Sequence, residues 1–241
     1  YAGYTPILHK SSGMGGDCPG GPGGGMGGDC PGGNMPADAF AGGLFWDGRA
    51  TGWTLNDPLA EQAMGPFLNP LEMNNPNKMT VCRNVQGSDY AVLFEEVWGP
   101  GTLDCVGDVD GTYERIAGSI AAYERSTEVN PFNSKFDAFW RNADQKRRTE
   151  GRVPQVWAIN MMNMPRFAGL GLNEMELMGL MIFNNQGKCS TCHPLRPMHG
   201  RLYPLFTDFR FHNLGMPRNP ENPYYSMPRK WKPDGADWVD I

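Results

Sequence analysis

The stretch Gly187-Lys188-Cys189-Ser190-Thr191-Cys192-His193-Pro194 constrains this chain more than any other. Two thiols stand three positions apart with a histidine directly behind them. This C-x-x-C-H spacing is the attachment signature of c-type haem. Both cysteines lie on one side of a helical turn, where they can take the two vinyl groups of a porphyrin as thioethers. The next residue then offers an imidazole nitrogen to the iron. A zinc ribbon needs a second close pair, and no other cysteines are paired at short spacing. A redox dithiol of the thioredoxin kind needs a βαβ setting that the sequence does not offer. Cys189 and Cys192 are therefore read as haem-attachment residues and His193 as the proximal iron ligand.

Composition limits the other possibilities. The chain has 241 residues, a net charge of −5 and 20% charged residues, which argues against a nucleic-acid partner. No apolar run approaches the ~18 residues of a membrane helix. Haem attachment places such a protein in the periplasm or outside the cell. With 32 glycines and 21 prolines, many turns and long irregular connections are expected. The densest patch, residues 13–33, repeats GMGGDCPGG and sets Cys18 and Cys30 in register. A Cys18–Cys30 disulfide clipping a flexible loop is the plain expectation, and a soft-metal site at Met14, Cys18, Met26 and Cys30 is the sharper one. Cys82 and Cys105 flank a folded-looking stretch and form the second candidate disulfide. Four cysteines allow three connectivities.

Periodicity predicts helices. Thr112–Arg125 places apolar residues at i, i+3 and i+4, with Asp110 or Thr112 as cap. Ser88–Trp98 reads as a shorter helix ended by Gly99-Pro100. Leu172–Asn185 reads as a third, capped by Asn173 with Glu174 and Glu176 in its first turn. It runs into the C-x-x-C-H motif, so it is expected to pack on a haem edge, with its methionines as core filler. GDVDGTYE lacks the first-position Asp and twelfth-position Glu of an EF-hand and is not read as one. Calcium is retained only as a candidate ion.

Several stretches, in order, carry a resemblance. FWDGRA (Phe45–Ala50), LAEQAMGPFLNPLEM (Leu59–Met73), IAGSIAAYER, LMGLMIFNNQGKCSTCH and PLFTDFRFHNLGMPRN (Pro204–Asn219) together resemble the bacterial di-haem cytochrome c peroxidases and their MauG-like relatives. The resemblance implies a mainly α fold with long irregular loops, built as two cytochrome-c-like helical haem domains. It divides the chain into residues 1–110, part of an N-terminal peroxidatic domain with the glycine-rich insertion 13–33, and residues 111–241, an electron-transfer domain. It departs from the family at TGWTLNDP (Thr51–Pro58), where the link is longer than expected.

The resemblance also implies roles. Trp46 lies between two haems, and Gln62 and Glu72 line the peroxide pocket. Peroxide cleavage needs a proton moved from the inner to the outer oxygen, and one carboxylate can perform both halves of that transfer. The apolar neighbours Leu71 and Met73 are expected to favour the protonated form of Glu72. Asp47 and Arg49 are expected to tie down the loop that carries Trp46. His9 is a candidate removable distal ligand. His212 is expected to pack or to bond a propionate, His199 to be exposed, and Met198 and Met216 are fallback iron ligands. The family carries two C-x-x-C-H motifs, so a second haem c is expected from sequence preceding Tyr1, and further sequence is expected after Ile241.

The leading functional expectation is a peroxidase that reduces hydrogen peroxide with electrons from a small cytochrome c or cupredoxin. A MauG-like oxidase acting on a partner protein and a non-enzymatic electron carrier in a multihaem complex are the alternatives. A homodimer is a candidate assembly.

Overall fold

Side-chain caps mark where most of the described helices begin. In the computed structural model, residues 5–10, 40–197, 202–212, 215, 217 and 219–226 are described. They include seven α-helices, α1 (Pro58–Ala63), α2 (Gly65–Leu68), α3 (Lys78–Gln86), α4 (Ala91–Trp98), α5 (Val109–Glu124), α6 (Lys135–Glu150) and α7 (Glu174–Asn184). Strand structure among the described residues is limited to two-residue pieces and isolated bridges. The fold is mainly α, as the sequence predicts. No described helix is long and apolar enough to cross a membrane.

The chain divides into two compact units. The described part of the first comprises residues 5–9, 42–130, 217 and 219–226; that of the second comprises 10, 40–41, 131–197, 202–212 and 215. Residue 110, the approximate boundary expected from sequence, lies inside the first unit. The helix α5 belongs to the first unit, because Ala121 packs with Leu59 and Ala60 of α1, and Tyr113 and Ile116 pack with Val81 and Val85 of α3. The boundary falls after Asn130, whose amide closes the end of α5 by donating to the Glu124 carbonyl.

In the first unit, Asp57 accepts from the Leu59 and Ala60 amides and caps α1, with Pro58 at the first helical position. The same carboxylate accepts two hydrogen bonds from Arg125, at 2.7 and 2.6 Å, and so ties the start of α1 to the end of α5. Burial opposes the charged form of Asp57, but Arg125 and the two amides outweigh it and hold the carboxyl below its usual range. The cap of α5 is Asp108, not Asp110 or Thr112, so this helix starts three residues earlier than its apolar pattern. Asp110 instead pairs with Lys78, and Asp104 folds back on the Val106 and Gly107 amides. The Cys82–Cys105 disulfide is formed, and both sulfurs are buried. Helix α4 is one turn shorter than expected, since Ser88 and Tyr90 form the preceding turn.

The second unit is built on α6 and α7. Ser134 and Asp137 form a capping box on α6, and Gly151, at φ 67°, ends it. Asn173 and Glu176 form the same box on α7, as the sequence predicts. Lys135 reaches Glu176 at 2.6 Å, which ties the two helix starts together. Phe139, Phe167, Ile159, Leu177 and Met181 form the core between them.

Candidate haem and peroxide sites

The attachment motif forms a single 3-10 turn, Cys189–Thr191. Lys188 enters it in the left-handed region, at φ 51°, and the Cys192 and His193 amides both donate to the Cys189 carbonyl. Ser190 Oγ donates to the Asn184 carbonyl at 3.1 Å and fastens the turn to the end of α7. Both thiols are free, Cys189 exposed and Cys192 half-buried. His193 is exposed, and its Nδ1 lies 2.8 Å from the Phe206 carbonyl. A carbonyl only accepts, so Nδ1 carries the proton, and Nε2 is left with its lone pair available to a metal.

Phe206 holds that carbonyl in place. Its backbone is left-handed, at φ 55°, and its ring packs edge-on against Phe136 of α6, at 4.9 Å, and Phe183 of α7, at 6.1 Å. Two residues on, Asp208 accepts from the Arg210 amide and pairs with His212 Nε2 at 2.9 Å. His212 is therefore occupied by a carboxylate on its own loop.

On α7, Met175, Met178 and Ile182 are exposed at i, i+3 and i+7, and a side chain at Gly179 would meet nothing. The expectation that the methionines are core filler holds for Met181 and fails for Met175 and Met178. The uncovered stripe leads to the attachment turn. Two free thiols, a histidine with Nε2 available and an adjoining apolar face make a donor set that fits covalent haem.

The other candidate residues lie in the first unit. Leu44 and Ala50 pair to make a short hairpin, and Trp46 stands at its tip, 64% exposed. Arg49 Nη1 donates to the fully buried Asp47 at 2.9 Å, and its guanidinium lies 4.0 Å from the Phe45 ring centroid. The tie expected between Asp47 and Arg49 is thus present. It holds the loop, while the Trp46 ring itself is not packed away in this unit. The Phe45 ring lies against Gly65, where even a methyl group would come within 3.2 Å.

Gln62 sits in the last turn of α1, half-buried. Glu72 lies in the turn after α2. That turn is closed by the Glu72 amide on Asn69, the Met73 amide on Pro66 and Asn75 on Phe67. The hairpin of Trp46 and the turn of Glu72 therefore both anchor on α2. The apolar enclosure expected for Glu72 is not supplied by its neighbours, because Leu71 is 92% exposed, Met73 is 59% exposed and Glu72 is itself exposed. Consecutive residues in a tight turn point apart, so adjacency in sequence does not bury the middle one.

Three anchoring residues were not singled out from sequence. Glu61 accepts from the Gly52, Thr54 and Leu55 amides and so organises the long TGWTLNDP link. Tyr113 is buried in α5, and its hydroxyl donates to the Met64 carbonyl at the corner between α1 and α2. Burial raises its pKa. The third is Phe206. Trp53 Nε1 donates to the Leu8 carbonyl and fixes the segment before His9, whose Nδ1 lies 2.9 Å from the Ile7 carbonyl. Cys18, Cys30, Met14, Met26, Met198, His199 and Met216 lie outside the described residues.

Residues 32–145 match the family described as di-haem cytochrome c peroxidase. The chain is 30% identical to the methylamine utilization protein MauG of Paracoccus denitrificans over 83% of its own length and 41% of that protein. It is 30% identical to the cytochrome c551 peroxidase of Nitrosomonas europaea, over 66% of this chain and 35% of that one. The chain belongs to the di-haem cytochrome c peroxidase and MauG-like family. Its fold agrees with this. The crystal structure of the di-haem peroxidase BthA from Burkholderia thailandensis superposes with a TM-score of 0.52 at 30% identity, covering 80% of this chain and 39% of that one. A single-substitution variant of BthA gives 0.54 at 28% identity. The chain spans about two fifths of the length of these relatives. Membership in this di-haem family implies haem c as the cofactor, in keeping with the donor set at Cys189, Cys192 and His193.

Proposed function

We propose that this chain is part of a periplasmic peroxidase that reduces hydrogen peroxide to water with electrons from a small cytochrome c or cupredoxin. The observation that carries the reading is the division of chemistry between the two units. The thiol, thiol and imidazole set lies in the second unit, and the acid–base candidates Gln62 and Glu72 lie in the first, around α2. Haem supplies the iron at which peroxide is reduced and the store that takes up the donor's electrons.

The protein's own residues supply the rest. Cys189 and Cys192 would hold the haem by thioether bonds, and His193 would present Nε2 while Phe206 fixes its Nδ1 proton. The stripe of Met175, Met178 and Ile182 would give that haem an apolar surface. Gln62 holds peroxide through its amide. Glu72 takes the proton from the inner peroxide oxygen and returns it to the outer one, so that water leaves. One peroxide with two electrons and two protons gives two waters. Trp46, held at the hairpin tip by Arg49 and Asp47, is assigned to the passage of electrons between the two haems. His9 is assigned as a removable ligand on the peroxide side. Cys82–Cys105 accords with an oxidising compartment.

A MauG-like oxidase is the second reading, favoured by the wider cover of this chain by the MauG relative, 83% against 66%. Steady-state peroxide reduction with a reduced donor cytochrome separates the two. The peroxidase reading expects sustained donor oxidation, two donors per peroxide. Negligible donor turnover, together with a long-lived peroxide-oxidised spectrum, would overturn it in favour of the second reading.

A further inference from the structure

The second unit carries a feature that haem attachment does not use. In a chain of net charge −5, residues 141–152 hold five basic and two acidic side chains. They form the second half of α6 and its exit. A shallow groove opens there between α6 and Leu202, lined by Trp140, Arg141, Asp144, Gln145 and Arg148. Its apolar part is Leu202, 61% exposed, and the edge of Trp140.

Its charged part is positive. Asp144 is already engaged by Arg147 and Arg148, each at 2.7 Å. Burial opposes its charge, but the two guanidiniums outweigh this and hold its carboxyl below the usual range. Arg141 donates to the Phe132 carbonyl at 2.8 Å and to the Tyr203 hydroxyl at 3.1 Å, which leaves its charge uncompensated. Among the described residues no ion pair holds Arg141, Lys146 or Arg152. An apolar centre with a basic rim is the anatomy of a protein-docking surface that selects an acidic partner.

The groove is also joined to the attachment turn. Trp140 stacks on Trp157 with ring centroids 5.8 Å apart and planes inclined by 25°. The Trp157 carbonyl accepts from Asn184 Nδ2 at 3.0 Å. The Asn184 carbonyl accepts from Ser190 Oγ, and Ser190 stands between Cys189 and Cys192. Arg196, three residues beyond His193, lies over the Trp157 ring.

We propose that the groove between α6 and Leu202 is the electron-entry surface, docking a small redox protein with an acidic face, and that Trp140 and Trp157 bridge it to the haem turn. This rests on the haem reading of Cys189, Cys192 and His193. One electron would leave the partner's metal centre, which is thereby oxidised, and would reduce the haem that Cys189, Cys192 and His193 would hold. Two such transfers match one peroxide.

The test titrates the haem-loaded full-length protein with acidic plastocyanin, and with basic mitochondrial cytochrome c as the control. Wild type is expected to bind plastocyanin more tightly than the basic cytochrome, with affinity falling as salt rises. The exposed pair Gln145→Glu/Arg148→Glu is expected to lower plastocyanin affinity roughly tenfold or more and to flatten its salt dependence. Haem content, melting temperature and reduction by a small uncharged hydroquinone should stay unchanged. Unchanged plastocyanin affinity in the double variant overturns the proposal, as does a wild type that prefers the basic cytochrome. Trp157→Phe is expected to keep the affinity and slow electron exchange with bound plastocyanin; an unaltered exchange rate removes the bridging role. The titration needs no peroxide. Failure of the docking surface therefore shows in binding, and failure of the peroxidase reading shows in peroxide turnover.

Discussion

The two units reach order by different means. The first unit is clipped by Cys82–Cys105 and cross-tied by charged side chains, with Asp57 joining α1 to α5 and Glu61 gathering the loop before α1. The second relies, among its described residues, on a run of packed aromatic rings, from Phe183 and Phe206 through Phe136 to Trp140 and Trp157. The difference follows what each must hold. Short helices and turns around α2 bury little surface and need covalent and ionic ties. In the second unit an aromatic floor positions one carbonyl for His193, beside the α7 face proposed to meet the haem. Reductant should therefore strike the first unit, and loss of the cofactor should strike the second.

The largest expected effect concerns the second unit. Replacing Cys189 and Cys192 together by Ala should abolish the haem stain of this segment on a denaturing gel. A stain that survives on a peptide containing the two substitutions would remove the attachment assignment.

The disulfide comes next. Cys82→Ala/Cys105→Ala opens a loop spanning 23 positions and should cost about 3 kcal/mol. Chemical denaturation followed by a first-unit probe such as Trp98 would show it. If Trp140 and Trp157 report the same loss, the two units do not unfold separately and the contrast between them weakens.

A smaller effect is expected at Asp57. Its carboxyl is held below the ordinary value of 3.8 in the folded state. The stability it adds is then fully present above that value and is lost as pH falls through the lowered one. Asp57→Ala should cost about 1–2 kcal/mol near neutral pH, from the lost cap and the lost Arg125 pair. Asp57→Asn should keep the cap and flatten the acid limb of the first unit's stability curve. An acid limb unchanged in Asp57→Asn would assign the acid sensitivity elsewhere.

What could be read from the sequence follows the range of the interactions. Helix α7, with Asn173 and Glu176 three residues apart, and the spacing of Cys189, Cys192 and His193 are local patterns, and both are present as expected. The loop around Trp46 is local too, and the Asp47 to Arg49 tie was legible. Helix α6 also carried a signal that could have been used, since Ser134 and Asp137 frame a cap and Phe136, Phe139, Trp140 and Ala143 follow helical spacing. The tie between Asp57 and Arg125 was not legible, because it spans 68 positions. The partner of His193 was not legible either. It is the backbone carbonyl of Phe206, and a carbonyl leaves no mark in a sequence. Glu72 misled for a related reason, since Leu71 and Met73 beside it say nothing about where a turn points its side chains.

The central claim is that acid–base chemistry on peroxide belongs to the first unit while the haem at His193 belongs to the second. Steady-state peroxide reduction by Glu72→Gln tests it most directly, measured on the full-length haem-loaded protein beside donor-driven haem reduction. The account predicts unchanged haem content, unchanged haem reduction and peroxide turnover lowered by about 10²-fold or more, the scale of a lost general acid–base. Turnover equal to wild type, with haem content intact, would contradict it.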